Sequence, residues 1–223
     1  MGVCRMSLLM SLSGFPGYGK TTQCKLLQKY YAEKTVVLSV PMILRMDMSI
    51  KKYLSSEDIK TIGCNMEGAK LSMKKGILVN KYADELLYKV TEKVLKKNRF
   101  VILDGSPRDT YSLELFDKLC RKSIVNQGVI IRLVSSYSDD IEMSIARQKY
   151  REEYEGRDIC ITQLANKSKV YFKYINESLL QYIQKDGSNV QYYEINCDNK
   201  IEEVQKQIRG FIESIEIDSI RNS

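Results

Sequence analysis

The chain contains no histidine, and its six cysteines, Cys4, Cys24, Cys64, Cys120, Cys160 and Cys197, include no CxxC pair. A structural zinc site of the usual Cys/His kind is therefore not expected, and scattered thiols fit a reduced, intracellular setting. No apolar run approaches the length of a membrane span. The opening residues MGVCRMS pass too quickly into an apolar strand to form a secretory signal. Gly2 would suit N-myristoylation, but that pattern calls for Ser or Thr where this chain has Met6. Internal repeats, low-complexity tracts, domain linkers, basic tails and RNA-binding aromatic motifs are also missing, as is a heptad or a broad apolar face for self-association. A cytoplasmic monomer without a nucleic-acid or membrane partner is the resulting expectation.

What is present is enough material for one domain. The 223 residues are 43% hydrophobic, sufficient for a full core. The net charge of +7, from 35 basic and 28 acidic residues, could attract polyanions, or could serve one cleft that gathers several phosphates. Five short apolar runs alternate with stretches of helical periodicity, the pattern of βαβ units around a parallel sheet. The strands are expected at 6–13, 35–38, 100–103, 128–134 and 190–195. Between them, a helix over 20–33 should face inward through Leu26, Leu27, Tyr30 and Tyr31. A second, over 81–97, should do so through Ala83, Leu86, Leu87, Val90 and Val94. A final helix over 200–215 should bury Ile201, Val204, Ile208 and Ile212, with Gly210 weakening it by about 1 kcal/mol. Two segments interrupt the alternation. One, from Met42 to Gly76, holds short helical pieces and a capping sequence, Ser55-Ser56-Glu57-Asp58. The other, from Tyr150 to Cys160, is polar and charged.

Gly14 to Thr21 read GFPGYGKT, a complete GxxxxGK(S/T) loop between the first strand and the first helix. Glycines let such a loop curl so that backbone N–H groups point inward, and the helix N-terminus adds positive potential. Lys20 can then reach the β- and γ-phosphates of a nucleotide, and the Thr21 hydroxyl can meet a magnesium ion. Asp104 follows the third strand at the carboxyl edge of the sheet, where open α/β folds bind ligands. It can hold magnesium through water, or cap the next loop. Arg45, Arg108, Arg147, Arg151 and Arg157 fall at strand ends or in the two interrupting segments. Each alone could be a solvated surface residue, but together with Lys20 and Asp104 they suggest phosphoryl transfer, which is mostly positioning and charge neutralisation.

Five stretches occur in order: GFPGYGKTTQ at 14–23, LSVPMILR at 38–45, KKGILV at 74–79, LDGSPRD at 103–109 and RQKYREEYEGR at 147–157. Their order and spacing resemble the nucleoside monophosphate kinases of the adenylate kinase and UMP-CMP kinase type, over nearly the whole chain. The resemblance implies an α/β fold of the P-loop NTPase class, three layers with a five-stranded parallel sheet. It also implies one domain over 1–223 carrying a helical acceptor-binding insertion at about 41–79 and a short lid at about 150–160. On that resemblance Gly17, Tyr18, Gly19, Lys20, Thr21 and Thr22 would hold the phosphates of Mg-ATP, and Arg147 would lie near the donor adenine. Arg45 and Arg108 would clamp the acceptor phosphate, with Met73, Val79 and the position of Ser112 around the acceptor base. Lys20, Arg108, Arg151 and Arg157 would act on the phosphoryl group in transit, and Mg2+ would be held through waters near Thr21 and Asp104. The implied reaction is ATP plus AMP to two ADP; UMP or CMP as acceptor, or a nucleotide sensor with weak turnover, are the alternatives.

The chain also departs from the family pattern. Thr21 replaces the usual glycine after the loop lysine, and Ser39-Val40-Pro41-Met42 replaces a stretch with a hydroxyl and a carboxylate. Ser106 stands where the family has Phe before Pro-Arg, with a cis bond expected before Pro107. Ser112 replaces the Gln or Asn that reads the base and is too short for paired amide contacts. After Arg157 the family's two aspartates are reduced to Asp158, and an arginine of the following helix is replaced, at best, by Lys167 or Lys169.

Overall fold

The structure is a computed structural model and describes residues 7–32, 35–45, 47–60, 81–97, 100–136, 140–155, 161–184 and 190–221. Five strands, β1 (Leu8–Gly14), β2 (Thr35–Leu38), β3 (Phe100–Asp104), β4 (Gln127–Val134) and β5 (Val190–Asn196), form one all-parallel sheet of order β2-β3-β1-β4-β5. Each expected strand is present, displaced by no more than two residues at an end. β1 is buried along its whole length between β3 and β4, so its run of Leu8, Leu9, Met10 and Leu12 needs no polar alternation. Its carboxyl end delivers the glycine-rich loop to the middle of the sheet edge.

Helices flank the sheet. They are α1 (Lys20–Tyr31), α2 (Val40–Arg45), α3 (Met48–Lys51), α4 (Lys81–Leu95), α5 (Thr110–Cys120), α6 (Asp140–Glu155), α7 (Ile161–Tyr174), α8 (Leu180–Ile183) and α9 (Ile201–Arg221), with a π-helical turn at Ile175–Leu179 joining α7 to α8. α1 packs on α9, and α4 on α5. The inward face of α4 is the expected one: Ala83, Leu86, Leu87, Val90 and Val94 are all buried.

Two apolar faces differ from expectation. In α1 the buried residues are Gln23, Cys24 and Leu27, whereas Tyr30 is 54% exposed. Tyr31 meets Phe100 of β3 edge-on, with ring centroids 5.4 Å apart. The Tyr30 ring receives the Arg209 guanidinium at 4.4 Å. In α9, Val204, Ile208 and Ile212 are buried, but Ile201 is exposed. As the first residue of the helix it serves through its backbone, whose carbonyl accepts a hydrogen bond from Gln23 Nε2 at 3.1 Å.

The segment from Met42 carries short helical pieces, as expected: α2, α3 and a helix beginning at 56–60. Ser55 caps the last of these. Its Oγ accepts from the Asp58 backbone N–H at 3.1 Å while Asp58 Oδ2 accepts from the Ser55 backbone N–H at 2.8 Å, the reciprocal arrangement of a capping box. The buried Asp58 carboxylate also receives Lys89 at 2.6 Å and Lys93 at 2.7 Å, both from α4. That ion triplet ties the inserted helix to the body of the domain. The peptide bond Ser106-Pro107 is cis, as expected. No helix of the described residues is long and apolar enough to cross a membrane.

Candidate active site

The glycine-rich loop leaves β1 and turns into α1 with Gly17 at φ 88° and Gly19 at φ 85°, a conformation open to glycine and costly for other residues. Gly17 is also crowded from outside: a Cβ there would lie 3.2 Å from Cβ of Arg147. The loop is therefore shaped both by its own torsions and by the approach of α6. Its floor is aromatic. Phe15, buried, meets Tyr171 of α7 edge-on with centroids 4.9 Å apart.

Lys20 turns back over the loop, its Nζ donating to the carbonyl oxygens of Gly14 at 2.7 Å and Phe15 at 2.8 Å. The ammonium is thus held against the start of the loop. One strand over, Asp104 ends β3, and its Oδ2 accepts a hydrogen bond from Thr21 Oγ1 at 2.7 Å. The loop and the third strand are thereby joined at the carboxyl edge of the sheet, through two hard oxygen donors of the kind Mg2+ prefers.

On the far side of the loop a cavity of ≈ 290 Å³ is lined by Gly17, Tyr18, Gly19, Thr22, Arg147 and Cys197, among others. Arg147 forms one wall. Its guanidinium stands over the Tyr18 ring at 5.1 Å and donates to Cys197 Sγ at 3.2 Å and to Asp198 Oδ1 at 2.7 Å. A planar, partly apolar slot with a guanidinium beside it suits a heteroaromatic base attached to phosphates held by the loop.

Arg108 follows the cis-proline turn. Its side chain is 11% exposed and donates through NH2 to Oδ1 of the fully buried Asp84 at 3.0 Å. Burial pushes the Asp84 carboxyl up to about 6; the Arg108 charge opposes that shift and the Asp109 charge adds to it. Neither Arg108 Nε nor Asp84 Oδ2, both buried, has a hydrogen-bond partner among the described residues. Arg45 closes α2 near the surface, its Nε 3.3 Å from Asp47 Oδ1.

Ser112 is fully buried at the third position of α5. Its Oγ accepts from the backbone N–H of Arg108 at 2.9 Å and of Asp109 at 3.1 Å, while the Ser112 N–H donates to Asp109 Oδ1 at 2.7 Å. The side chain thus forms a capping box with Asp109. Residues 150–155, where the lid is expected to begin, continue helix α6. Arg151 lies in that helix, four residues after Arg147. Met73, Val79 and Arg157 lie outside the described residues, as do the remainder of the acceptor-binding insertion and of the lid.

Sequence reasoning missed Asp84, Asp198 and Cys197. Asp198 could have been found by the rule that singled out Asp104, since it too follows a strand at the carboxyl edge. Asp84 gave no such signal, because an acidic residue in the first turn of an amphipathic helix is ordinary.

A parallel sheet of order β2-β3-β1-β4-β5, with the GxxxxGKT loop between its central strand and α1, defines a P-loop phosphotransferase fold. No protein-family model matches the chain. It is similar to the adenylate kinase of Buchnera aphidicola subsp. Baizongia pistaciae, 31% identical, with 91% of this chain and 97% of the relative covered. It is also similar to the adenylate kinase of Helicobacter hepaticus, 24% identical over 93% of this chain and 98% of the relative. The adenylate kinase of Buchnera aphidicola subsp. Cinara cedri matches at 27% identity, covering 87% and 92%. The chain belongs to the adenylate kinase family, which is a family of ATP-dependent phosphotransferases.

Proposed function

We propose that this enzyme transfers the γ-phosphoryl group of Mg-ATP to AMP, giving two ADP. The observation that carries this reading is the convergence of Lys20, Thr21 and Asp104 at one end of the loop, with the Arg147 slot on one side and Arg108 on the other. The loop amides and Lys20 would hold the donor phosphates, and the adenine would rest in the slot beside Arg147 and Tyr18. Arg108 would bind the acceptor phosphate, helped by Arg45. Thr21 and Asp104 would hold Mg2+ through its waters. When bound, the ion neutralises charge on the β- and γ-phosphates. The chain's own part is to align the two nucleotides, to stabilise spreading negative charge with Lys20 and the arginines, and to exclude water that would otherwise take the phosphoryl group. The insertion at about 41–79 and the lid at about 150–160, with Arg151 and Arg157, would supply that closure, and Met73 and Val79 would border the acceptor base. The enzyme would act as a monomer.

The alternative acceptor is UMP or CMP; Ser112 does not decide between the two readings, because it supplies neither of the amides with which the family reads a purine or a pyrimidine. A coupled assay with AMP, UMP and CMP in parallel separates the two. Turnover with AMP at about 1–100 per second, and much slower turnover with the pyrimidines, supports the first reading. The reverse order supports the second. Failure of all three to turn over, with Mg-ATP still bound, would reduce the chain to a nucleotide sensor.

A further inference from the structure

Arg147 does not hold its place over Tyr18 by itself. Its guanidinium is anchored by Asp198, on the turn between β5 and α9, and Asp198 is in turn fixed from a third direction. Its Oδ2 accepts from the Ser136 backbone N–H at 2.8 Å and from Ser136 Oγ at 2.7 Å, and its Oδ1 accepts from Ser135 Oγ at 2.9 Å as well as from Arg147 NH2 at 2.7 Å. Ser135 and Ser136 directly follow β4. One carboxylate therefore ties the ends of two neighbouring strands to α6, the helix that carries Arg147. The turn holding it is itself braced, since the Asp198 backbone N–H donates to Asn196 Oδ1 at 2.8 Å. Partial burial would push the Asp198 carboxyl up, but the donors from Ser136 and Ser135 and the Arg147 charge outweigh this and hold it below the usual carboxylate range.

We infer that Asp198 is a positioning residue for the donor nucleotide: it fixes Arg147 as the rigid wall of the base slot. The inference rests on the reading of that slot as the donor-base site. A guanidinium on a long side chain loses rotamer freedom when it stacks against a base. Holding it in place beforehand removes that cost from binding. The charge-assisted bond to Asp198 and the contact with the Tyr18 ring hold the guanidinium together. The same three-way junction couples α6 to the carboxyl edge of the sheet.

Calorimetric titration with Mg-ATP alone, without an acceptor and therefore without turnover, tests this on four proteins: wild type, Arg147→Ala, Asp198→Asn and the double variant. Asp198→Asn keeps the shape and the ability to accept from Ser136, but loses the charge. Asp198→Asn is expected to weaken Mg-ATP binding roughly tenfold to a hundredfold, the range for loss of a charge-assisted hydrogen bond. It should leave the KM for AMP unchanged, and it should add nothing in the Arg147→Ala background. An Asp198→Asn effect that persists undiminished in that background, or that raises both KM values equally, would show a general brace and overturn the inference while leaving the donor-site reading intact. Unaltered Mg-ATP binding in Arg147→Ala would instead remove the donor-site reading, and the inference with it.

Discussion

Thr21 and Asp104 stand 83 positions apart in the chain, yet the threonine hydroxyl donates to the aspartate carboxylate at 2.7 Å. The hydrogen bond fixes the start of α1 against the end of β3, and it places both oxygens where phosphates held by the loop would bring their magnesium. Asp104→Asn preserves shape and removes the charge. The variant is expected to need about tenfold to a hundredfold more Mg2+ for half-maximal activity, the usual cost of losing an outer partner of a bound metal, with thermal unfolding nearly unchanged. Activity plotted against free Mg2+ checks this; an unshifted curve would place the ion elsewhere.

Lys20 spends its hydrogen bonds on the carbonyls of Gly14 and Phe15, and both bonds lie at the start of the loop rather than in the core. Lys20→Met should therefore fold normally and lose phosphoryl transfer by about a hundredfold to a thousandfold, the scale seen when one preorganised charge-stabilising donor is removed. Single-turnover kinetics and a melting curve together check the division. A variant of near-full activity would mean that the phosphates bind away from this loop.

The parts of the site that could be read from the sequence are those in which one short stretch does the whole task. The curl from Gly14 to Thr21 depends on glycines within eight residues, and Asp104 is marked by the apolar strand that it ends. The strands were legible for the same reason: β1, β3 and β4 are apolar runs because they are covered on both faces. What escaped depends on partners far along the chain. Asp84 is informative only once Arg108, 24 positions away, is seen to reach it, and Asp198 only with Arg147 and Ser136 around it. What Ser112 does in the fold is likewise visible only with its neighbours in place. Asp109 and the turn before it determine that this hydroxyl caps the helix. Tyr30 and Ile201 were placed inward by periodicity, but the packing of α1 on α9 turned both outward.

Asp84 makes a specific pH dependence. Its carboxyl is raised from 3.8 to about 6, burial being the foremost cause, so the folded protein holds this proton more tightly than the unfolded chain does. Below pH about 4 both states are protonated and the residue is neutral in its effect. Between about 4 and about 6 the unfolded chain ionises first, and stability falls as pH rises; above about 6 the penalty is complete and constant. The span is on the order of 2–3 kcal/mol. Asp84→Asn cannot titrate. The stability of wild type relative to Asp84→Asn should therefore decline from pH 4 to pH 6 and then level off. Urea unfolding at each pH measures it, and a difference that rises over that interval would show that the Arg108 charge outweighs burial.

Gly210 lies near the middle of α9, exposed, with no atom within 4 Å of where a Cβ would stand. Glycine in a helix interior surrenders more backbone freedom on folding than alanine, and here no close approach requires it. Gly210→Ala is therefore expected to stabilise the protein by about 0.5–1 kcal/mol through the unfolded chain, or a rise in Tm of about 2–4 °C at this size. Because α9 begins beside the donor slot and packs on α1, the gain should come without loss of Mg-ATP binding. A destabilised variant would mean that the methyl group meets something at this position, such as a second molecule of the protein, and sedimentation of wild type and variant at matched concentrations would reveal it.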